Sequence, residues 1–316
     1  METIQIEDVS IIDTYYYKEG LACAYLVKEN QKGAIIETNT NHAIPYILQE
    51  IEKQNLKPDD IEWIIITHVH LDHAGGAGLL MQKCKNAKLI AHPNAAKHIV
   101  DPSRLIASSI QVYGEENFKK LYGDIIPVPK ERVIIPEDNE EISFGSRKFK
   151  FIYTKGHANH HFVIYDSKTK SVFSGDSFGI AYPILQEKGT FLYPTTTPTD
   201  FDPKEAIHSI EKILNTNPNK IFLTHYGAIT DLHNAKQQLL EGLDFAEQLL
   251  EWDLKNTSTD QEKIQYIKNS IMDYYKQKMN LLKLELTKQR EEMLELDAQL
   301  NAMGIHVAAT RKRKKG

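Results

Sequence analysis

The stretch Ile66–Gly76, ITHVHLDHAGG, places His68, His70, Asp72 and His73 within six residues, directly after the apolar run IEWIII. An extended backbone sends alternate side chains to one side. His68 and His70 therefore point together while Val69 faces the core. Asp72 and His73 follow at the turn into the next helix, where two more side chains swing toward the same point. Gly75 and Gly76 let the backbone pass close by without a Cβ. Neutral imidazole and carboxylate are good ligands for zinc and for iron. One such cluster fills a metal site only in part, so further donors are needed downstream. The chain supplies them at predicted strand ends, each beside a glycine: His157 in IYTKGHANHH, Asp176 in SVFSGDSFG and His225 in IFLTHYG. A lone loop histidine is seldom a ligand, but a strand followed by histidine or aspartate recurs here four times in order.

The series His68-x-His70-x-Asp72-His73, then His157, Asp176 and His225, resembles the signature of the metallo-β-lactamase fold superfamily, in the arrangement of glyoxalase II-like hydrolases. That resemblance covers residues 1 to about 230. More narrowly, HIVDPSRLIASSIQVYGE, LYGDIIPVPKERV, GHANHH, YPTTTPTDFDP and a C-terminal LNAMG are similar to one prokaryotic branch of the superfamily, over nearly the whole chain. The resemblance implies an α/β fold, a four-layer αββα sandwich with a helical C-terminal extension and metals at one edge. By motif position it implies two divalent metal ions per chain, with zinc expected and iron the alternative. His68, His70 and His157 hold one ion; Asp72, His73 and His225 hold the second; Asp176 bridges them. Two departures stand out. Glu37 stands where many members have aspartate, and Lys155 precedes Gly156 where proline is common. Neither removes a ligand; both bear on ligand support and the pocket wall.

The rest of the chain narrows the class. With 316 residues and a formal net charge of −5, it has no basic excess to suggest nucleic acid. No apolar run approaches the roughly 20 residues that span a membrane, and the acidic start METIQIEDVSIIDTYYY lacks the order of a secretion signal. Cys23 and Cys84 are the only cysteines, which suits a reducing compartment. The expectation is a soluble cytoplasmic protein.

Short strands and helices alternate to about residue 230, including a helical stretch at 101–123 that could cover a site. Residues 1–231 are expected to form the metal-binding domain and 232–316 a helical extension. In the latter, Leu282, Leu286, Met293, Leu296, Leu300 and Met303 fall at helical steps, as core packing, a lid or a homodimer seam. The tail RKRKKG reads as a solvated, disordered end.

Two metals about 3.5–4 Å apart share a hydroxide and polarise a substrate oxygen. The expected activity is therefore metal-dependent hydrolysis of a small-molecule ester, thioester or related acyl or phosphoryl compound. Asp72 is the expected catalytic residue, orienting the hydroxide or carrying a proton to the leaving group. Tyr226 is a candidate oxyanion donor within an aromatic set that includes Tyr113, Tyr122, Tyr182 and Tyr193. His160 and His161 are candidate partners of the ligands. Arg104 and Lys155 read as an anion clamp or as structural ion pairs. His92 reads as a surface or core residue, and His42, His98, His208, His233 and His306 as ordinary. The alternatives are a di-iron oxygen-binding or redox protein, and a non-catalytic effector acting through the C-terminal helices.

Overall fold

The computed structural model describes residues 3–196 and 200–315. The apolar run before the histidines becomes one strand of a seven-stranded mixed sheet. In sheet order its strands are β1 (Ile4–Ile6), β2 (Val9–Asp13), β3 (Cys23–Glu29), β4 (Lys32–Ile36), β5 (Ile61–Ile65), β6 (Lys88–Ile90) and β7 (Val133–Ile134). The first four pair antiparallel, β1 to β2 and β3 to β4 through two-residue turns and β2 to β3 through the longer loop 14–22. From β4 onward neighbours are parallel, and parallel strands need long crossovers. These carry α1 (Ile44–Lys53), then α2 (Leu71–Ala74) and α3 (Ala77–Lys83), then α4 (Pro93–Val100), α5 (Ser103–Tyr113) and α6 (Glu115–Tyr122). The stretch DTYYY leaves the sheet at Asp13, one strand end earlier than its β-rich composition suggests.

The second sheet is six-stranded and mixed: β8 (Glu141–Phe144), β9 (Arg147–Thr154), β10 (His161–Asp166), β11 (Ser171–Phe173), β12 (Lys220–Leu223) and β13 (Gly227–Ile229). Period-two alternation sorts the side chains of the first sheet. Tyr25, Val27, Ile36 and Ile65 join Phe149, Phe151, Phe162, Phe173 and Phe222 of the second sheet in one buried cluster. Leu26, Ile35, Ile64 and Leu89 take the other face and pack with Ile47 and Ile51 of α1 and Leu80 and Met81 of α3.

The chain groups into two compact units. The first comprises Met1–Tyr153, His160–Gly175 and Thr216–Ala228, and holds nearly all of both sheets. The second comprises Thr154–Asn159, Asp176–Asn215 and Ile229–Gly316. Its helices are α7 (Pro203–Leu214), α8 (Leu232–Lys255), α9 (Asp260–Leu281) and α10 (Lys288–Lys315). Asp202 caps α7, accepting from the backbone N–H groups of Lys204 and Glu205, and Thr259 with Glu262 forms a capping box on α9.

α10 packs on α8 and α9. Its buried face is Leu294, Ala298, Ala302, Ile305 and Ala309, with polar Asp297 and Asn301 among them. Leu296, one of the expected stripe residues, is exposed, because the buried face of α10 runs through Leu294, Ala298 and Ile305 and leaves Leu296 turned to the side. The expectation of a disordered basic tail is also corrected. α10 runs through Lys315, Arg311 donates to the Phe201 carbonyl at 2.7 Å, and Arg313 donates to the carbonyl of Asp253 at 2.6 Å and to its carboxylate. Asp253 is fully buried, and such a charge needs partners of the opposite sign. Of YPTTTPTDFDP, residues 197–199 lie outside the described residues, as does the side chain of Tyr113. Among the described residues, no helix is long and apolar enough to cross a membrane.

Candidate metal centre

β5 is buried and points its C-terminal end into the histidine-rich turn. His70 caps α2, which carries Asp72 and His73. A Cβ on Gly76 would come within 2.8 Å of the Thr38 and Thr40 carbonyls. Glycine is therefore what lets the turn lie against the segment after β4.

In the first unit five of the expected ligands converge. His68 is fully buried, with Nε2 2.9 Å from Nδ1 of His70. Two nitrogens that share one tetrahedral ion at about 2.0–2.1 Å stand roughly 3.3 Å apart, so this spacing is close to that of a ligand pair. The rings of His68 and His73 lie 4.0 Å apart, and those of His73 and His225 5.3 Å. Donor atoms of Asp72, His73 and His225 all fall within 4.8 Å of one another, as do those of Glu37, His68 and His73. Asp72 Oδ2 is 3.8 Å from His73 Nε2 and 3.5 Å from His225 Nε2. Asp72 is 27% exposed, whereas His73 is buried and His225 nearly so, which makes its carboxylate the group of that trio that faces water.

In His68, His73 and His225 one ring nitrogen is held by the protein, which leaves the other facing the cluster. His73 Nδ1 donates to Glu37 at 3.1 Å, His225 Nδ1 donates to the Leu21 carbonyl at 2.8 Å, and His68 Nδ1 lies 3.0 Å from the Thr67 hydroxyl. Such partners fix the tautomer and raise ligand basicity. His160 and His161 both gather at His68. His160 accepts from the Val69 N–H at 3.4 Å, and the buried His161 ring lies 4.9 Å from that of His68.

In the second unit His157 and Asp176 are both buried and pair at 3.3 Å through Nε2 and Oδ2. Nδ1 of His157 is 2.7 Å from the Thr195 hydroxyl. Gly156 has φ +97°, and a Cβ there would come 2.2 Å from the Ala206 nitrogen of α7. That close approach explains the glycine before His157. Lys155 lines a small cavity with His157 and Asp176.

Other candidates fall elsewhere. Tyr226 is buried among the residues joining the two sheets, its hydroxyl donates to Asp13 at 3.4 Å, and burial pushes its pKa up. Tyr182 and Tyr193 both donate to Asp297. Tyr122 packs on Phe118, and Arg104 lies on the exposed side of α5. His92 caps α4, accepting from the Asn94 N–H at 3.1 Å, and its ring lies 4.3 Å from that of Tyr153 at a tilt of 51°; burial pushes its pKa down to about 4. Asp13, Thr67 and Thr195 were not evident in the sequence as part of the site. A carboxylate at the end of a buried strand was the only available signal, and it applies to Asp13 alone.

Set against known proteins, residues 19–225 match the family model described as Metallo-beta-lactamase superfamily. The chain is 29% identical over 177 residues to the metallo-beta-lactamase fold-containing protein ST1585 of Sulfurisphaera tokodaii, across 54% of this chain and 63% of that protein. The chain thus spans less than two thirds of that relative's length. The crystal structure of ST1585 from Sulfolobus tokodaii superposes with a TM-score of 0.65 and 20% identity, covering 95% of this chain and 99% of that one. A structure of the chemotaxis sensor ODP, described as a peroxy diiron species, gives a TM-score of 0.54 at 20% identity over 78% of this chain and 97% of that one. These likenesses carry the fold, and the family match covers most of the chain together with its histidine-rich turn. The chain belongs to the metallo-β-lactamase superfamily.

Proposed function

We propose that the protein is a dinuclear metal-dependent hydrolase acting on an ester, thioester or related acyl or phosphoryl small molecule. The observation that carries the reading is the set of histidines whose outward nitrogens are locked by Glu37, Leu21, Thr67 and Thr195 while their other nitrogens face carboxylates or one another. On the family pattern His68, His70 and His157 would hold one ion, Asp72, His73 and His225 the other, with Asp176 between them. Ions so held would supply a hydroxide nucleophile at neutral pH and polarise the oxygen on which charge develops. Asp72, part-exposed at the cluster, is the residue placed to orient water and pass a proton to the leaving group. Glu37 and Thr195 keep His73 and His157 in the ligating tautomer.

Zinc is the favoured metal. Iron in the same donors is the second reading, since imidazole and carboxylate suit both. A role as a mere effector is disfavoured because the C-terminal helices are laced to the strand of chain that carries Thr195. The reading includes a cytoplasmic location, which two buried free thiols suit.

The test is hydrolysis of 4-nitrophenyl acetate, phenyl thioacetate and bis(4-nitrophenyl) phosphate by metal-replete and chelator-treated protein. Activity that vanishes on chelation and returns with metal is expected; activity indifferent to chelation refutes the reading. Replacing Asp176 with alanine is expected to lower metal content by one or both ions. A full complement in that variant refutes the bridging role.

A further inference from the structure

We propose that the loop Tyr15–Tyr17 and helix α6 form the site for the part of the substrate that is not cleaved, and that this part is a planar aromatic group bearing a carboxylate or phosphate. The proposal rests on the hydrolase reading and names its substrate class. A cavity of about 590 Å³ lies within the first unit, inside the roughly 300–1,000 Å³ usual for small-molecule sites. One wall is Thr14 with Tyr15, Tyr16 and Tyr17; the other includes Thr40, His42 and Lys120.

Both walls connect to ligand-bearing segments. Asp13 accepts from the Tyr15 N–H at 2.7 Å and the Gly20 N–H at 2.8 Å, clasping the tyrosine loop. The same carboxylate accepts from Tyr226, the residue after His225, at 3.4 Å. On the other side Asn39, next to Thr40, donates its amide to the Asp72 carbonyl at 2.7 Å. Both walls of the cavity are thus tied by hydrogen bonds to the segments that carry Asp72 and His225.

Tyr16 packs against the buried cluster of Leu71, Phe118 and Tyr122 and Tyr15 meets Tyr46 with ring centroids 4.7 Å apart, but burial does not account for the outer two tyrosines. Tyr17 is 60% and Tyr15 40% exposed. Both hold left-handed backbone, with φ of 59° and 51°, which bulky residues rarely adopt. Tyr16 meets Tyr17 edge to face at 5.0 Å, and its hydroxyl lies 3.4 Å from that of Tyr122 on α6. Rigid aromatic rings offer a large contact area to another ring at low entropic cost.

The charge at the far edge sets the sign of the ligand. Nε2 of His42, in the turn before α1, lies 3.1 Å from the carbonyl of Lys120 in the last turn of α6, so the two residues stand side by side. No carboxylate lines the cavity among the described residues. The geometry places an aromatic ring against the tyrosines and its anionic group at Lys120 and His42, with the scissile bond toward Asp72.

The experiment uses the full chain, metal-replete, with two probes that are not hydrolysed: 2-naphthoate and its neutral isostere 2-naphthamide. Wild-type protein is expected to bind naphthoate about tenfold more tightly than the amide, about the size expected of one charge-assisted contact. Lys120→Gln is expected to abolish that preference, and Tyr17→Ala to weaken both probes about tenfold. Both positions are exposed, so neither change threatens the fold. Equal affinity for the two probes, a preference that survives Lys120→Gln because the metals alone bind the carboxylate, or no effect of Tyr17→Ala overturns the proposal. Metal content of the same preparations is read separately. Fewer than two ions per chain would sink the hydrolase reading, whereas a metal-replete protein indifferent to these substitutions loses only this site.

Discussion

Glu37 shows how one residue organises the centre. It follows the last residue of β4 with φ +65° and is almost completely buried. A carboxylate in that position must be compensated. It accepts from the Thr67 hydroxyl, the Thr67 N–H at 3.4 Å, the Thr224 hydroxyl at 3.2 Å and His73 Nδ1 at 3.1 Å. Thr67 and Thr224 each precede a proposed ligand, so a single carboxylate ties three ligand-bearing positions together. Glu37→Gln is expected to weaken metal binding about 10–100-fold, the usual effect of losing a ligand's carboxylate partner. Competition with a chromophoric chelator measures it, and unchanged affinity would show that Glu37 only packs. The candidate ligands were legible in the sequence as a group, because their spacing is local and their residue types are chemically narrow, and the structure brings His68, His70, Asp72, His73 and His225 together. The role of Glu37 was visible only as a departure from a family pattern. Its partners lie 30 to 187 positions away, a separation that no local pattern records.

At the scale of elements, α10 acts on His157 through the loop before residue 197. Asn301 accepts from the Thr196 N–H at 2.7 Å through Oδ1 and from the Thr196 hydroxyl at 2.9 Å through its carbonyl, while its amide donates to Tyr275 on α9. Asp297, one turn earlier, accepts from Tyr193 at 2.5 Å, and Gln238 of α8 accepts from the Leu192 N–H at 2.9 Å. Three helices thus fix the loop whose Thr195 holds His157. Asn301→Ala is expected to weaken binding of one of two cobalt ions about tenfold, leaving an unsatisfied buried donor at Thr196. Asn301→Asp, which keeps the acceptor, is expected to restore part of it. Cobalt titration followed by visible absorption reads the result; identical spectra and affinities in all three proteins would make α10 mere scaffolding. The helical character of this region was legible from composition. Its buried face was not, because it carries Asp297 and Asn301, which a hydrophobic pattern discards.

Across the first unit, the proposed metal ligands and a cluster of structural charges occupy opposite ends of the first sheet. β3 runs antiparallel to β4, and β4 parallel to β5, so Glu29 lies at the end where β5 begins and His68 beyond the end where β5 finishes. Arg147, 1% exposed, donates to Asp8, Glu29 and Asp166 and joins β9 to β3 and β10. Burial alone would raise the pKa of Glu29, but Lys168, Ser146 and Arg147 hold it down to about 2. A depressed carboxylate contributes stability that is fully present above its unfolded value, about 4.3, and is lost as pH falls toward about 2. Arg147→Met is expected to destabilise the fold by about 3–5 kcal/mol by leaving buried carboxylates uncompensated. Urea unfolding at pH 7 would show it, and a loss below about 1 kcal/mol would place the cluster with ordinary surface pairs.

The central claim is that the turn beginning at His68 serves two adjacent metal ions. Its most direct test is the metal content per chain, with the element identified, of protein purified without added metal. Close to two ions per chain is the predicted result, with zinc directing substrate screens to the Tyr15–Tyr17 cavity and iron directing them first to oxygen-dependent spectra. Near-zero content, with no uptake on reconstitution, would contradict the account.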